Sequence, residues 1–214
     1  MIDVTVIGSG PGGYEAALQA ARQGLEVAVV TATPPGGRAT VGSLLPSKVW
    51  LTEAERYRAA RRLAPELTPS VGEITSGVNR RMKKRSASVA GRLEKLGATI
   101  HLGRGKLTAP DTVLVTPLDE SVEGFELKSR YIVLATGSEP RFFEKVKPDG
   151  ERIIAPRHTR LLEEIPETIL FVGGGVTSTE YASAFAKLGS KVPIATKIDR
   201  LLPRSDEELV AALT

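Results

Sequence analysis

Twice in this chain an apolar strand runs without interruption into a glycine turn and then a helix, and a repeat of that kind leaves few folds open. The first copy is Ile2-Asp3-Val4-Thr5-Val6-Ile7 followed by Gly8-Ser9-Gly10-Pro11-Gly12-Gly13. Tyr14, Ala17, Leu18 and Ala21 then recur at helical spacing up to Gln23-Gly24, and Leu25 to Val30 reads as a second buried strand, so about 30 residues spell a βαβ unit. Each glycine of the turn has a physical task. Gly8 permits the tight turn, Gly10 lets the backbone approach a pyrophosphate, and Gly13 allows the helix to pack closely on the strand, with Pro11 and Gly12 between them. Amide N–H groups at the helix start then face the anion. A glycine-rich turn alone can simply reverse a chain, but strand, spacing and helix agree here on dinucleotide binding. About 20 residues on, where an acidic residue usually accepts from a ribose hydroxyl, stands Thr31. Threonine offers one neutral hydrogen bond in place of a charge-assisted one, which predicts weaker binding.

The second copy starts near Ile169, where Ile169-Leu170-Phe171-Val172 leads into Gly173-Gly174-Gly175-Val176-Thr177-Ser178-Thr179-Glu180 and an alanine-rich helix ending at Gly189. Ser178 takes the place of the third glycine, a small residue compatible with close packing. In the following strand, Lys191 to Ala195, Pro193 removes a ladder donor and predicts an edge or a distortion. Lys197, with Arg200 just beyond, stands where a ribose-reading acid is expected. Two readings stay open: these cations accommodate a 2′-phosphate, which leans toward NADPH, or they are solvated surface charges.

In this order, four segments make the sequence resemble the flavoprotein disulfide reductases, the family of dihydrolipoamide dehydrogenase and glutathione reductase. They are the Gly8 to Gly13 turn, the stretch from Gly36-Gly37 through Pro46-Ser47-Lys48, the strand end Ala135-Thr136-Gly137, and the Gly173 to Glu180 turn. The resemblance implies that the first turn holds FAD, with Gly37, Thr136 and Gly137 close to it and the backbone at Gly105 near the adenine. It implies that Gly173, Gly175, Thr177 and Ser178 hold NAD(P)H. It also aligns Lys48 with the family lysine beside the flavin N5 and Glu180 with the carboxylate paired to it, a buried pair that supports hydride acceptance; the plainer reading of Lys48 is an exposed helix residue.

One departure is decisive. The family places redox cysteines between the paired glycines and Pro-Ser-Lys; this chain has Ala39 and Leu44 there and no cysteine anywhere. Transfer from flavin to a dithiol within the chain is thereby excluded. The sequence instead resembles a cysteine-free branch, through Gly12 to Leu18, Leu45 to Lys48 and Pro148 to Ile153, whose members behave as NAD(P)H-dependent quinone reductases. The resemblance therefore implies an NAD(P)H:acceptor flavoprotein oxidoreductase with a quinone-like electron acceptor. The alternative is a non-catalytic FAD/NAD(P)-binding module that needs a second chain.

The fold expected is α/β: a Rossmann-like three-layer FAD/NAD(P)-binding unit with a small antiparallel meander, followed by the start of a second Rossmann-like domain. We place an FAD-binding domain at 1–145, a crossover linker at 146–166, and the first βαβ unit of an NAD(P)-binding domain at 167–214. Helices are expected from Ser47 to about Leu63 and from Thr75 to about Leu96, joined by the Pro-rich stretch Ala64 to Ser70. Strands are expected at Ala98 to Leu102, Thr112 to Thr116, Gly124 to Lys128 and Tyr131 to Leu134. The basic run Arg80, Arg81, Lys83, Lys84 and Arg85 carries no interleaved aromatics and reads as a solvated helix face rather than a nucleic-acid surface. His101 and His158, the two histidines, lack metal-ligand spacing, so no metal site is expected.

The 41% hydrophobic and 25% charged residues with net charge +4 are ordinary for a chain that buries a core. No run reaches the roughly 20 apolar residues that span a bilayer, and the start lacks a secretory pattern, so cytoplasm is the expected compartment. Measured against the family, the sequence stops within a helix at 206–214, which suggests an unfinished second domain. A complete form is expected to be a homodimer, or a second chain to supply the remainder.

Overall fold

The computed structural model describes residues 1–144 and 146–213. Lys145, at the boundary drawn above between FAD-binding domain and linker, and the last residue, Thr214, lie outside the described residues. The chain divides into two compact units, Met1–Leu44 with Arg81–Lys147, and Leu45–Arg80 with Pro148–Thr214.

In the first unit, β1 (Ile2–Ile7) lies at the centre of a parallel sheet, flanked by β2 (Val27–Thr31) on one side and β5 (Phe125–Leu134) on the other. β3 (Thr99–Ala109) joins beyond β2. The far halves of β3 and β5 pair antiparallel with β4 (Thr112–Pro117), which closes the strands into a ring. The alternation of apolar residues decides the layers, because successive strand side chains point to opposite faces. Val4, Val6, Val27 and Val29 turn to one face and pack with Tyr14, Ala17, Leu18 and Ala21 of α1 (Pro11–Arg22) and with Val89 and Leu93 of α4 (Val71–Lys95). Ile7, Ala28 and Val30 turn to the other and meet Val113, Val115 and Leu127 of the meander. Between these layers the hydroxyls of Thr5 and Ser129 satisfy one another at 2.5 Å.

The expected strands 124–128 and 131–134 are one continuous β5, and 98–102 runs on as the longer β3. Each strand changes partner along its length: Thr99–Leu102 pairs with β2, and from Gly103 onward β3 pairs with β4. A glycine sits at that switch because a Cβ on Gly103 would lie 2.6 Å from the carbonyl oxygen of Thr116.

The second unit contains α3 (Leu44–Arg61, apart from its first residue), the part of α4 up to Arg80, and a βαβ segment of β6 (Phe171–Val172), α5 (Val176–Leu188) and β7 (Ile194–Ala195). A 3-10 helix (Pro156–Leu161), a short α2 (Gly37–Val41) in the first unit and α6 (Glu207–Leu213) complete the elements named here. β6 and β7 are shorter than the strands expected at 169–172 and 191–195. Pro193 supplies no N–H, and although its carbonyl accepts the Phe171 N–H at 2.9 Å, pairing away from the two-residue ladder shrinks to an isolated bridge between Thr168 and Lys191, made by Ile169 N–H to Lys191 O and Lys191 N–H to Glu167 O. Along the α3–α5 seam, Trp50, fully buried, stacks on Phe185 with ring centroids 5.2 Å apart. Glu55 and Lys187 pair at its solvent edge.

Both histidines have structural surroundings. His101 on β3 meets Phe125 edge-on at 5.3 Å, and burial lowers its pKa. His158 accepts the Ala155 N–H at Nδ1 and so closes the start of the 3-10 helix.

The turn glycines generate one prediction. A Cβ on Gly13 would sit 1.9 Å from the carbonyl oxygen of Gly8, a backbone atom with nowhere to go, whereas nothing lies within 4 Å of one on Gly12. Gly13→Ala is expected to lower stability by more than about 3 kcal/mol and Gly12→Ala to change it by less than about 1 kcal/mol, measured by chemical denaturation. Tyr181 generates another. Thr159 Oγ1 donates to Pro156 O at 2.8 Å, so the Tyr181 hydroxyl, 3.4 Å away, is the donor to Thr159. Burial, the largest cause, pushes the phenol up to about 12. A raised pKa means stability fully present below the unfolded value near 10 and lost as pH climbs toward 12, by about 2–3 kcal/mol. Tyr181→Phe should blunt that alkaline loss in urea-midpoint measurements; an unchanged slope would remove the assignment.

Candidate functional site

The two glycine turns have nearly the same backbone. Gly8 and Gly173 take φ of 106° and 107°, a region open to glycine, and each donates its N–H to the end of the neighbouring strand, Gly8 to Val30 O at 2.8 Å and Gly173 to Ala195 O at 2.7 Å. Gly10 and Gly175 are the N-caps of α1 and α5, both extended, and their carbonyls accept the first helical bonds, from Tyr14 N–H at 2.8 Å and Thr179 N–H at 3.0 Å. The first turn of a helix leaves its N–H groups without intrahelical acceptors. In α1 these belong to Gly12 and Gly13, since Pro11 has none; in α5 they belong to Val176, Thr177 and Ser178. A Cβ on Gly10, Gly12 or Gly175 would meet nothing within 4 Å, so the backbone at both helix starts is bare and approachable. That shape and those donors fit a pyrophosphate. Ser178 stands where the first turn has Gly13, and its Oγ lies 3.8 Å from the position of a Cβ on Gly173.

Around the first turn the fold gathers segments distant in sequence. Gly36 N–H donates to Ser9 O at 2.9 Å, and a Cβ on Gly37, whose φ is 58°, would stand 2.6 Å from the Cα of Gly10. Ala135 N–H donates to Ile7 O at 2.8 Å, and its carbonyl oxygen would be 2.2 Å from a Cβ on Gly8, which sets the exposed Thr136 and Gly137 beside the same turn. Thr31 is buried: its hydroxyl donates to Thr33 O at 2.9 Å and so accepts from Ser9 Oγ at 2.7 Å. One lone pair remains to it. Gly105 faces inward, where a Cβ would come within 3.1–3.4 Å of Ile7, Val30 and Val113, so its lack of a side chain also lets the ring of strands close.

In the second unit, Lys48 on α3 pairs with Glu180 on α5, and Ser47 Oγ donates to the other carboxylate oxygen at 3.0 Å. Pro46 sits in the first turn of α3, where its missing N–H costs no helical bond. The Lys48 side chain is 50% exposed and that of Glu180 24%. Solvent therefore screens the pair, and its strength rests on the hydrogen bonds that aim it rather than on a dry interior. The sequence reading gave Ser47 no role and missed the Ser9–Thr31 bond. Ser47 was visible beside Lys48 in Pro-Ser-Lys; nothing local marked Ser9. Lys197, exposed, follows β7 by two residues, and Thr196 packs over Gly174. Among the described residues no cluster of acidic or histidine side chains could hold a metal, and no helix is long and apolar enough to cross a membrane.

A family model described as pyridine nucleotide-disulphide oxidoreductase matches residues 2–214. The chain is 38% identical to a dihydrolipoyl dehydrogenase of Chlorobaculum parvum, over 99% of its own length and 46% of the relative's. It is 30% identical to an NAD(P)H dehydrogenase (quinone) of Mycobacterium tuberculosis, over 98% and 46%. Among solved structures, LpdA from Mycobacterium tuberculosis superposes with a TM-score of 0.90 at 30% identity, over 99% of this chain and 48% of that one. The chain thus spans just under half the length of these relatives.

Proposed function

The chain belongs to the pyridine nucleotide-disulphide oxidoreductase family, and from that premise we propose that it carries the FAD- and NAD(P)H-binding parts of an oxidoreductase that reduces a quinone-like acceptor without a protein dithiol. The observation that carries this reading is the doubled turn, two bare helix starts of matching backbone in a chain with no cysteine. In this proposal the N–H groups of Gly12 and Gly13 hold the FAD pyrophosphate, with Gly8, Gly10, Pro11, Gly37, Thr136 and Gly137 shaping the cradle. Thr31 keeps one acceptor for a ribose hydroxyl, and Gly105 keeps the family's place by the adenine. Gly173, Gly175, Thr177 and Ser178 hold the nicotinamide nucleotide. Residues 1–145 form the FAD-binding domain, 146–166 the linker and 167–214 the start of the NAD(P)-binding domain. When bound, FAD supplies two-electron exchange with a nicotinamide and onward transfer to a diffusible acceptor.

Lys48 contributes a fixed positive charge, and Glu180 with Ser47 sets where that charge stands. Alanine and leucine at positions 39 and 44 offer no nucleophile, so electrons leave by a small molecule rather than a disulfide. The relative named as a quinone-reducing dehydrogenase supports this choice over a dithiol substrate.

Purified chain should carry the visible absorbance of flavin, bleach with NAD(P)H and recover with a quinone. A yellow chain that NAD(P)H does not bleach would leave a binding module, and a colourless one that cannot be reconstituted would end the reading. Lys48→Met should retain FAD while slowing its reduction about tenfold, the effect of roughly 1.4 kcal/mol on the barrier. Gly10→Val should fold, since its Cβ enters open space, yet weaken FAD binding at least about tenfold by filling the anion's approach; equilibrium titration of the apo chain checks it.

A further inference from the structure

The basic run of α4 has no part in the function proposed above, and the fold sorts it onto one side of the helix. Arg81, Lys84, Arg85, Ser88, Arg92 and Lys95 are spaced i, i+3, i+4, i+7, i+11 and i+14, so they fall within about 100° of arc and follow the axis for about 21 Å. All six belong to the first unit. Val89 and Leu93 are buried against the sheet, which fixes the rotation of the helix and leaves Lys84, Arg85, Ser88, Arg92 and Lys95 exposed. Residues 81–95 hold six cations and one carboxylate, a formal charge of +5 where the whole chain has +4. The rest of the sequence is thus close to neutral, and the positive field belongs to this helix. Arg92 lies in the field of Glu15 on α1. Among the described residues no carboxylate forms a salt bridge with Lys83, Lys84, Arg85 or Lys95.

The surroundings of the stripe select among anionic partners. Ala87, Ser88 and Gly91 are exposed and short, so nothing there stands higher than the lysine and arginine stems, and a flat surface can reach the charges together. No large apolar side chain is exposed within 81–95, which leaves a protein partner without an apolar centre to pack on. None is aromatic, which leaves single-stranded nucleic acid without a stacking platform. We infer that this side of α4 adsorbs to an anionic lipid surface, its cations meeting the phosphates of the headgroups. The attraction is one of charge without insertion, so binding is reversible and falls with salt. Adsorption requires no bound flavin; for the oxidoreductase proposed above, a bilayer is also where an apolar quinone dissolves.

The test is co-sedimentation of the full chain with vesicles of phosphatidylcholine, alone or with about one third phosphatidylglycerol. At low salt the chain should partition to the anionic vesicles at least about tenfold more strongly than to the neutral ones, and about 0.5 M salt should release it. Lys84→Gln combined with Arg85→Gln and Lys95→Gln should weaken partitioning at least about tenfold, while Lys84→Arg with Lys95→Arg, which keeps the charge, should retain it. Arg104→Gln combined with Lys106→Gln and Lys128→Gln removes the same charge from exposed positions of the meander, on the other face of the sheet, and should weaken partitioning less than about threefold. Equal binding to both kinds of vesicle, binding to neither, or equal losses in the two triple variants overturns the inference. Tighter binding to duplex DNA at the same salt would assign the face to nucleic acid and overturn it as well. None of these results touches flavin binding, which the absorbance of the purified chain reads separately.

Discussion

The contact on which the first unit depends is one of backbone against backbone: the Cα of Gly13 lies so close over the carbonyl of Gly8 that a single methyl group would reach 1.9 Å from its oxygen. That proximity lets α1 start directly off the end of β1, and it aims the free N–H groups of the helix outward instead of into the sheet. The same closeness recurs on the other sides of the turn, from Gly37 against Gly10 and from Ala135 against Gly8. Three chain segments can meet there because Gly8, Gly10, Gly13 and Gly37 bring no side chain and Ala135 brings only a methyl group.

The second unit is organised by side chains. α3 and α5 run in the same direction, since Lys48 pairs with Glu180 and, seven residues on in both helices, Glu55 pairs with Lys187. The sign of the charges reverses between the two pairs, so a slip of one heptad would set like charges opposite each other. Exposed pairs of this kind add little net stability. The apolar contact between them, Trp50 on Phe185 with Ala54 and Ala184 buried, supplies most of it, and the charges specify the register in which Lys48 is presented.

Local pattern made much of this legible. The alternating strand Ile2–Ile7, the glycine spacing and the apolar positions 14, 17, 18 and 21 of α1 state the βαβ unit within thirty residues, because each feature is a consequence of neighbours in the chain. The meander was visible in outline but not in extent: the continuity of β3 and β5 depends on which strand lies alongside, and that partner changes at Gly103 and near Ser129. The shortness of β6 and β7 was foreshadowed by Pro193, whose missing donor acts locally. The setting of Lys48 was not, since exposure depends on what packs around α3 and not on the residues flanking the lysine.

By itself, the sequence determined that this protein contains two glycine turns between strand and helix and no thiol, because glycine spacing and the absence of an element are properties of the chain. Only the tertiary structure decided that Thr31 spends most of its hydroxyl on Ser9 and Thr33, that Lys48 is half exposed and paired with Glu180, and that Arg200 is taken by Glu207 and the Ser205 carbonyl. The reason is physical: a side chain's type sets what bonds it can make, but which partner is near enough to take them is set by the packing of segments remote in the chain.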